Sequence, residues 1–322
     1  MAFPNISDIL ATTIESRTKK IADNVTSNNA ILKKLSMTGK IKTFSGGSKI
    51  LQELSFAENT NAGWYSGYDL LPVGVSDVLS AAEYDIKQAA VPVIISGLEM
   101  LQNSGKEQMI DLLEGRLSVA ESTLGNLISE GLYSDGTANG GKQILGLDAA
   151  VPVDPTTGTY GGIDRATFTF WRSIVSTGVD LTAANIQQAM NSVWAQLIRG
   201  KDAPNLILMD NKAWEIYVAS LQAQQRFHQA EVGNLGFPTL KFMGTDVVLD
   251  GGIGGNATAG TVYFLNCDYI HYRPHQNRNM VPLSPNRRYA TNQDAEVQIL
   301  AWAGNLTSSG SRYQGRLIDS AP

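Results

Sequence analysis

Apolar and polar positions alternate along two runs in the first third of the chain, Lys40 to Leu54 and Val78 to Ile95. Alternation of this kind predicts strands. The stretch between them, Ser55 to Gly74, is polar, rich in glycine and too long for a tight hairpin turn. The two runs therefore read as an extended hairpin, with Ser45, Gly46 and Gly47 predicting a bulge in the outgoing strand. An isolated two-stranded ribbon is marginal in water, so a second copy of the chain is the expected partner. The tip holds Trp64, Tyr65 and Tyr68 among glycines and asparagines. Aromatic residues of this type are enriched at interfaces, which makes these three candidate inter-subunit contacts. Packing beneath the loop of the same chain is the alternative.

A helical period follows. Ser104 and Glu107 stand in the S-x-x-E relation of a capping box. Met109, Leu113, Leu117, Ala120, Leu124 and Leu127 then recur at spacings of three and four, which predicts one long helix from about Gly105 to Glu130. Its opposite face carries Glu107, Asp111, Glu114, Arg116 and Glu121, a solvated face or one turned toward basic neighbours. The glycine-rich segment 131–147, ending in Ile144-Leu145-Gly146-Leu147, predicts a loop that returns the chain to a sheet.

Before the hairpin, Ile9, Leu10, Ile14, Ile21 and Val25 are too sparse for a core, and residues 1–37 read as an arm reaching over a neighbour. In the second half, Ile186, Met190, Val193, Trp194, Leu197 and Ile198 share a helical face between Thr182 and Gly200. Leu206 to Met209 predicts a buried strand, Asp210 the start of a helix through Leu221, and Lys241–Leu249, Thr261–Leu265, Tyr269–Tyr272, Ala295–Ala303 and Tyr313–Ile318 further strands.

Composition narrows the function. The chain has 322 residues, 43% hydrophobic and 17% charged, enough for a full core. A net charge of -5 argues against a surface built to wrap nucleic acid. One cysteine, Cys267, excludes a disulfide framework within the chain. The first ten residues lack the pattern of a secretory signal, and no stretch approaches the length of a membrane span.

Catalytic signals fail on inspection. Gly252 to Ala257 matches G-x-G-x-x-A, but a strand rather than a helix follows, so the run reads as a connection between strands. His271 and His275 are split by Pro274, and an extended chain holds residues four apart roughly 13 Å from one another. No P-loop, H-E-x-x-H or paired-carboxylate motif occurs, and no cofactor, metal or catalytic residue is expected. The segment Tyr269 to Gln293 contains Arg273, Arg278, Arg287 and Arg288 and no acidic residue. Arginine favours carboxylate partners at interfaces, so this patch is expected to meet acidic surface on an adjacent subunit, the face with Glu107, Asp111 and Glu114 being one candidate. A nucleic-acid role, against which the net charge weighs, and a solvated loop with no partner are the competing readings.

The order of hairpin arm (Lys40 to Ile95), long acidic-faced helix (Gly105 to Glu130) and glycine loop with its Ile144-Leu145-Gly146-Leu147 return resembles the major capsid proteins of tailed bacteriophages with the HK97-type fold, across essentially the whole chain. The resemblance implies an α+β capsid fold divided into an N-terminal arm (1–37), an E-loop with flanking strands (38–97), a peripheral domain (98–179, spine helix 104–130), an axial domain (180–280) and a C-terminal return to the peripheral sheet (281–322). It implies a structural protein rather than an enzyme. Such a chain self-assembles through pentamers and hexamers into an icosahedral virion capsid in the host cytoplasm and encloses double-stranded DNA that it does not read by sequence. Scaffold, portal and decoration proteins are the other partners the resemblance brings, and no membrane is involved. Some members link an E-loop lysine to a neighbour's asparagine; Lys40, Lys42 and Lys49 lie in the corresponding arm, but no catalytic carboxylate can be matched, and cross-linking is not expected. The alternatives are an encapsulin-like nanocompartment shell and an unrelated α/β enzyme with a dimerisation arm.

Overall fold

The computed structural model describes residues 29–71, 73–102, 106–221, 239–251, 255–283, 288–289 and 294–320, with the backbone alone at 100–102, 106–114 and 288–289. The apolar positions of the early arm segment, the Ser104 cap and Arg287 lie outside the described residues.

Two sheets and three apolar clusters organise the chain. The first sheet is built around one strand, β14 (Ala295–Ser308), fourteen residues long. One edge of β14 pairs in an antiparallel ladder with β3 (Lys87–Ser96), from Ala295 opposite Ser96 to Gly304 opposite Lys87. Its other edge pairs in turn with β13 (Arg288–Tyr289), β12 (Val281–Pro282) and β11 (Ile270–Pro274). The long helix, Lys106–Tyr133, packs against this sheet and at 28 residues spans roughly 42 Å. Leu117, Ala120, Leu124, Ile128 and Leu132 are its buried stripe and join Val93, Ile95, Leu300, Trp302 and Leu306 in the first core. The expected Leu127 is 39% exposed instead, because the four-residue step from Leu124 to Ile128 keeps the stripe facing the sheet.

The second sheet runs β6 (Ile174–Val179), β15 (Gly315–Asp319), β10 (Thr261–Leu265), β7 (Leu206–Met209), β9 (Thr245–Leu249), β8 (Thr239–Phe242). Both its faces are covered. Leu206, Leu208, Tyr263 and Leu265 point into the first core. Ile207, Met209, Val262 and Phe264 point into a second, lined by Ile186, Met190, Val193, Trp194 and Leu197 of helix Ile186–Leu197 and by Ala213 and Tyr217 of helix Asn211–Leu221. Burial on two sides is why these strands read as continuous apolar runs. Asp210 caps the second of these helices, its carboxylate accepting from the Lys212 and Ala213 amides at 3.2 and 3.0 Å.

The hairpin differs from its expected outline. Only Lys49–Ser55 (β1) is a strand on the outgoing side; it pairs antiparallel with β2 (Leu79–Asp85), Lys49 opposite Asp85 and Ser55 opposite Leu79. Residues 40–44 instead run beside β11, touching it through isolated parallel bridges at Ile41–Tyr272 and Phe44–His275. Gly47, at φ +118°, turns the chain out of that course before β1 begins, so the glycines end a segment rather than bulge a strand. The return run likewise splits at Ile86, β2 staying with β1 and β3 crossing to β14.

Other boundaries shift for local reasons. Residues 30–37 form a helix, Ala30–Met37, capped by the Asn29 side chain, with Ala30, Ile31, Leu32 and Leu35 buried in the first core; this part of the segment 1–37 packs on its own chain instead of reaching away. The run 241–249 is two strands, because Met243 and Gly244 at φ +48° and +82° make the two-residue turn that right-twisted hairpins favour. Ile198 is exposed and extended, since the reciprocal Arg199–Asp202 backbone pair stops the helix at Leu197. Of the last two runs, β14 joins the first sheet, but β15 pairs with β10 and β6 in the second.

A close approach fixes the glycine loop. Gly146 donates to the Ser134 carbonyl at 3.0 Å, and a Cβ at this position would run into the carbonyls of Gly131 and Leu132 at the end of the long helix. Gly146→Ala is expected to displace that helix end and cost about 3 kcal/mol, read as a lowered denaturant midpoint.

Candidate assembly interface

A third apolar cluster anchors the hairpin at its base. Phe44, Ile50, Leu54, Ala82, Tyr84, Tyr160 and Trp171 are buried together, Phe56 packs on Phe170 with ring centroids 5.6 Å apart, and the Tyr84 hydroxyl donates to the Ser308 carbonyl at 3.0 Å. Beyond Phe56, whose amide donates to the Val78 carbonyl, the chain leaves this cluster. Its shape there comes from short polar links: the Asn61 side-chain amide donates to the Gly74 carbonyl at 2.6 Å, and the Asp69 carboxylate accepts from the Ser66 amide at 2.9 Å. The first joins the two legs of the loop and the second closes a local turn near its tip, neither burying anything.

The loop's apolar side chains are consequently uncovered. Trp64 and Tyr68 are fully exposed, Tyr65 largely so, and Leu70, Val73 and Val75 are 97–98% exposed, with Leu71 more than half exposed. A monomer gains nothing from presenting so much apolar surface, and a patch of this kind marks a contact surface. The alternative, that the aromatics pack under their own loop, does not occur. The aliphatic contribution of Leu70, Leu71, Val73 and Val75 was not singled out from sequence; its signal was four aliphatic residues in six positions inside an otherwise polar tip.

The arginine patch is only partly gathered. Arg273 lies on β11, half buried, with one guanidinium nitrogen 3.3 Å from the Gln52 side-chain oxygen and its Nε buried without a partner. Arg278 is exposed in the following turn, its carbonyl accepting from the Ala303 amide. Arg288 sits on β13 by its backbone. The backbone of the long helix carries Glu107, Asp111 and Glu114, whose side chains are outside the description. Farther along, Arg116 pairs with Glu99 of the same chain.

Groups with chemical potential are held inert. Cys267 is buried and burial pushes its thiol up to about 12, so it is protonated at neutral pH. His271 and His275 are on one extended strand segment, His275 with its ring edge-on to Phe44. Among the described residues no three His, Cys, Asp or Glu side chains come together as metal ligands. Asp148 accepts from the Tyr263 hydroxyl at 2.5 Å and pairs with buried Arg316 at 2.9 Å; this network ties the Leu147–Ala150 turn to the second sheet and had no signature in the sequence.

His271 gives the fold a titration of its own. Burial first, then the charges of Lys40, Lys42 and Arg273, lower it from 6.5 to about 4. The folded state therefore prefers the neutral ring, and the stability this confers is present above pH 6.5 and lost as pH falls from 6.5 toward 4. A thermal melt series from pH 7 to pH 4 should show Tm falling through that window, and His271→Gln should flatten the fall relative to the unaltered chain.

The architecture has known counterparts. The described chain is similar to the capsid of cyanophage A-1(L), with a TM-score of 0.67 at 18% identity over 88% of this chain and 91% of that one. It is also similar to the capsid of a native GTA particle, with a TM-score of 0.60 at 13% identity over 88% and 89%. The chain has the HK97-type capsid fold. An encapsulin complex from Synechococcus elongatus shares the fold, with a TM-score of 0.54 at 10% identity over 89% and 87%. No protein-family model and no curated protein matches the sequence.

Proposed function

We propose that this chain is a major capsid protein of a tailed bacteriophage, a structural protein that assembles through pentamers and hexamers into an icosahedral shell around double-stranded DNA. One observation carries the reading: on a capsid fold, the loop between β1 and β2 presents Trp64, Tyr68, Leu70, Val73 and Val75 to solvent, with nothing among the described residues to cover them. A neighbouring copy supplies that cover. Each copy both gives and receives such contacts, so a subunit is retained by several weak contacts at once, and the closed shell is stable collectively.

The division into arm (1–37), E-loop (38–97), peripheral domain (98–179), axial domain (180–280) and C-terminal return (281–322) belongs to this proposal, modified by the packing of helix Ala30–Met37 in the first core and by the pairing of β15 in the second sheet. Trp64, Tyr65 and Tyr68, and the arginines at 273, 278, 287 and 288, are assigned to inter-subunit contact, the arginines facing carboxylates. The shell is placed in the virion, with portal, scaffold and decoration proteins as further partners.

The encapsulin likeness supports a second reading, a nanocompartment shell, which predicts the same particle with protein cargo in place of DNA. Sedimentation velocity on the purified chain tests the shared core of both. Closed particles, or pentamers and hexamers in exchange with them, are the expected species; a monomer or dimer at every concentration overturns the assignment. Nucleic acid in particles taken from infected cells separates the two.

A further inference from the structure

Charge is segregated along this chain in a way that its net value hides. From Ile50 to Ile86 there are six acids, Glu53, Glu58, Asp69, Asp77, Glu83 and Asp85, and no lysine or arginine. From Ala30 to Lys49 there are five lysines and no acid, and from Tyr269 to Leu283 there are Arg273 and Arg278 and no acid. The fold lays these two acid-free segments side by side: the Tyr272 amide donates to the Lys40 carbonyl at 3.1 Å, and the Lys42 amide donates to the Tyr272 carbonyl at 3.0 Å. Alternation then sends Ile41 toward the core and Lys40 and Lys42 to the other side, near His271 and Arg273.

Some of these cations are already neutralised. Lys34 is 3.8 Å from Asp246, and Lys49 pairs with Glu83 at 2.6 Å. Among the described residues, no carboxylate pairs with Lys40, Lys42, Arg273 or Arg278. Likewise, among the described residues no lysine or arginine pairs with Asp69 or Asp77 in the loop, and Asp69 accepts from the Ser66 backbone amide. The loop's neighbours at positions 70, 73 and 75 are fully exposed, and Asp69 and Asp77 are exposed with them, so among the described residues these acids have no surface to meet.

We propose that the cationic surface formed by Lys40, Lys42 and Arg273 receives the acidic β1–β2 loop of a neighbouring copy, through Asp69 and Asp77. This rests on the shell reading and names a partner surface within it. The loop is favoured over the acidic face of the long helix because that helix carries its own cations, Lys106 and Arg116, and Arg116 is already paired with Glu99. It is favoured over nucleic acid because four cations on a chain of charge -5 make a poor phosphate surface, while the same chain supplies an acidic loop whose Asp69 and Asp77 meet no cation among the described residues. Beneath the surface, the buried Nε donor of Arg273 has no acceptor among the described residues.

The test is a charge swap read by threshold concentration for assembly. Lys40→Glu with Lys42→Glu is expected to raise the threshold about tenfold or more, and Asp69→Lys with Asp77→Lys to do the same, each with an unchanged thermal melt of the unassembled subunit. All four changes in one chain restore the wild-type threshold. Wild-type assembly weakens with added salt, whose screening length is about 8 Å at physiological strength, and Lys42→Gln alone, a change at an exposed position, flattens that dependence if the double reversal fails to fold. A lysine variant that assembles at the wild-type threshold overturns the proposal. So does a four-fold variant as defective as either pair. A lysine variant with normal assembly but lost binding to a short DNA duplex assigns the surface to phosphate instead. A wild-type chain that never assembles refutes the shell reading itself.

Discussion

Replacing residues 57–77 with an Asn-Gly turn yields a folded subunit that forms no shell. The excision leaves every buried feature of the hairpin in place: Phe56 still reaches Phe170, Ser55 still pairs with Leu79, and the amide of Phe56 stays opposite the Val78 carbonyl. Asn-Gly supplies the positive φ values that a two-residue turn needs between twisted strands. Among the described residues of the excised segment no side chain is buried, so thermal stability should stay close to that of the full chain. What disappears is the apolar tip, Trp64 through Val75. In a closed shell each copy loses the contacts it gives and those it receives, and a collective assembly amplifies the loss. Light scattering across a concentration series should show particles for the full chain and none for the trimmed one; particles from the trimmed chain at the same concentration would show that the loop is dispensable.

The largest expected loss of folding stability follows Trp302→Ala. Trp302 is 1% exposed and stacks on Tyr272 with ring centroids 5.8 Å apart and planes 15° from parallel. It stands on the central strand of the first sheet, opposite Ala89 of β3, and faces the core shared with the long helix. Truncation leaves a cavity between sheet and helix that neither element can close without moving the other. The cost is about 3–5 kcal/mol, a large share of what a domain has to spare. Trp302→Phe should recover part of it. Equal urea midpoints for the alanine variant and the unaltered chain would place the core elsewhere.

Most of the architecture was legible because its signals are local. A stripe at spacings of three and four marked the long helix, the unbroken Leu206–Met209 run marked a strand buried on both faces, and Asp210 marked a helix start. The errors fall where tertiary pairing decides. Residues 40–44 look like part of the strand that becomes β1, but they lie beside β11 some 230 positions away in sequence, and no local pattern reports such a neighbour. Helix Ala30–Met37 was assigned to an outgoing arm because its four buried residues are too few to imply a core by themselves; they complete one already built by other elements. The hairpin at Met243-Gly244 was hidden because methionine is not a residue expected at positive φ.

The candidate interface was half visible. Trp64, Tyr65 and Tyr68 stood out by residue type, whereas the aliphatics beside them were not singled out within a tip read as polar. The cationic surface was recognised only from its arginine side. Lys40 and Lys42 join it through the fold, which is also what depresses His271.

A cryo-electron microscopy reconstruction of the particles formed by the purified chain tests the central claim most directly. The account predicts a closed icosahedral shell in which residues 57–77 of each subunit lie on an adjacent copy, with Trp64 and Tyr68 covered. Small discrete oligomers, or a shell in which this loop remains in solvent, would contradict it.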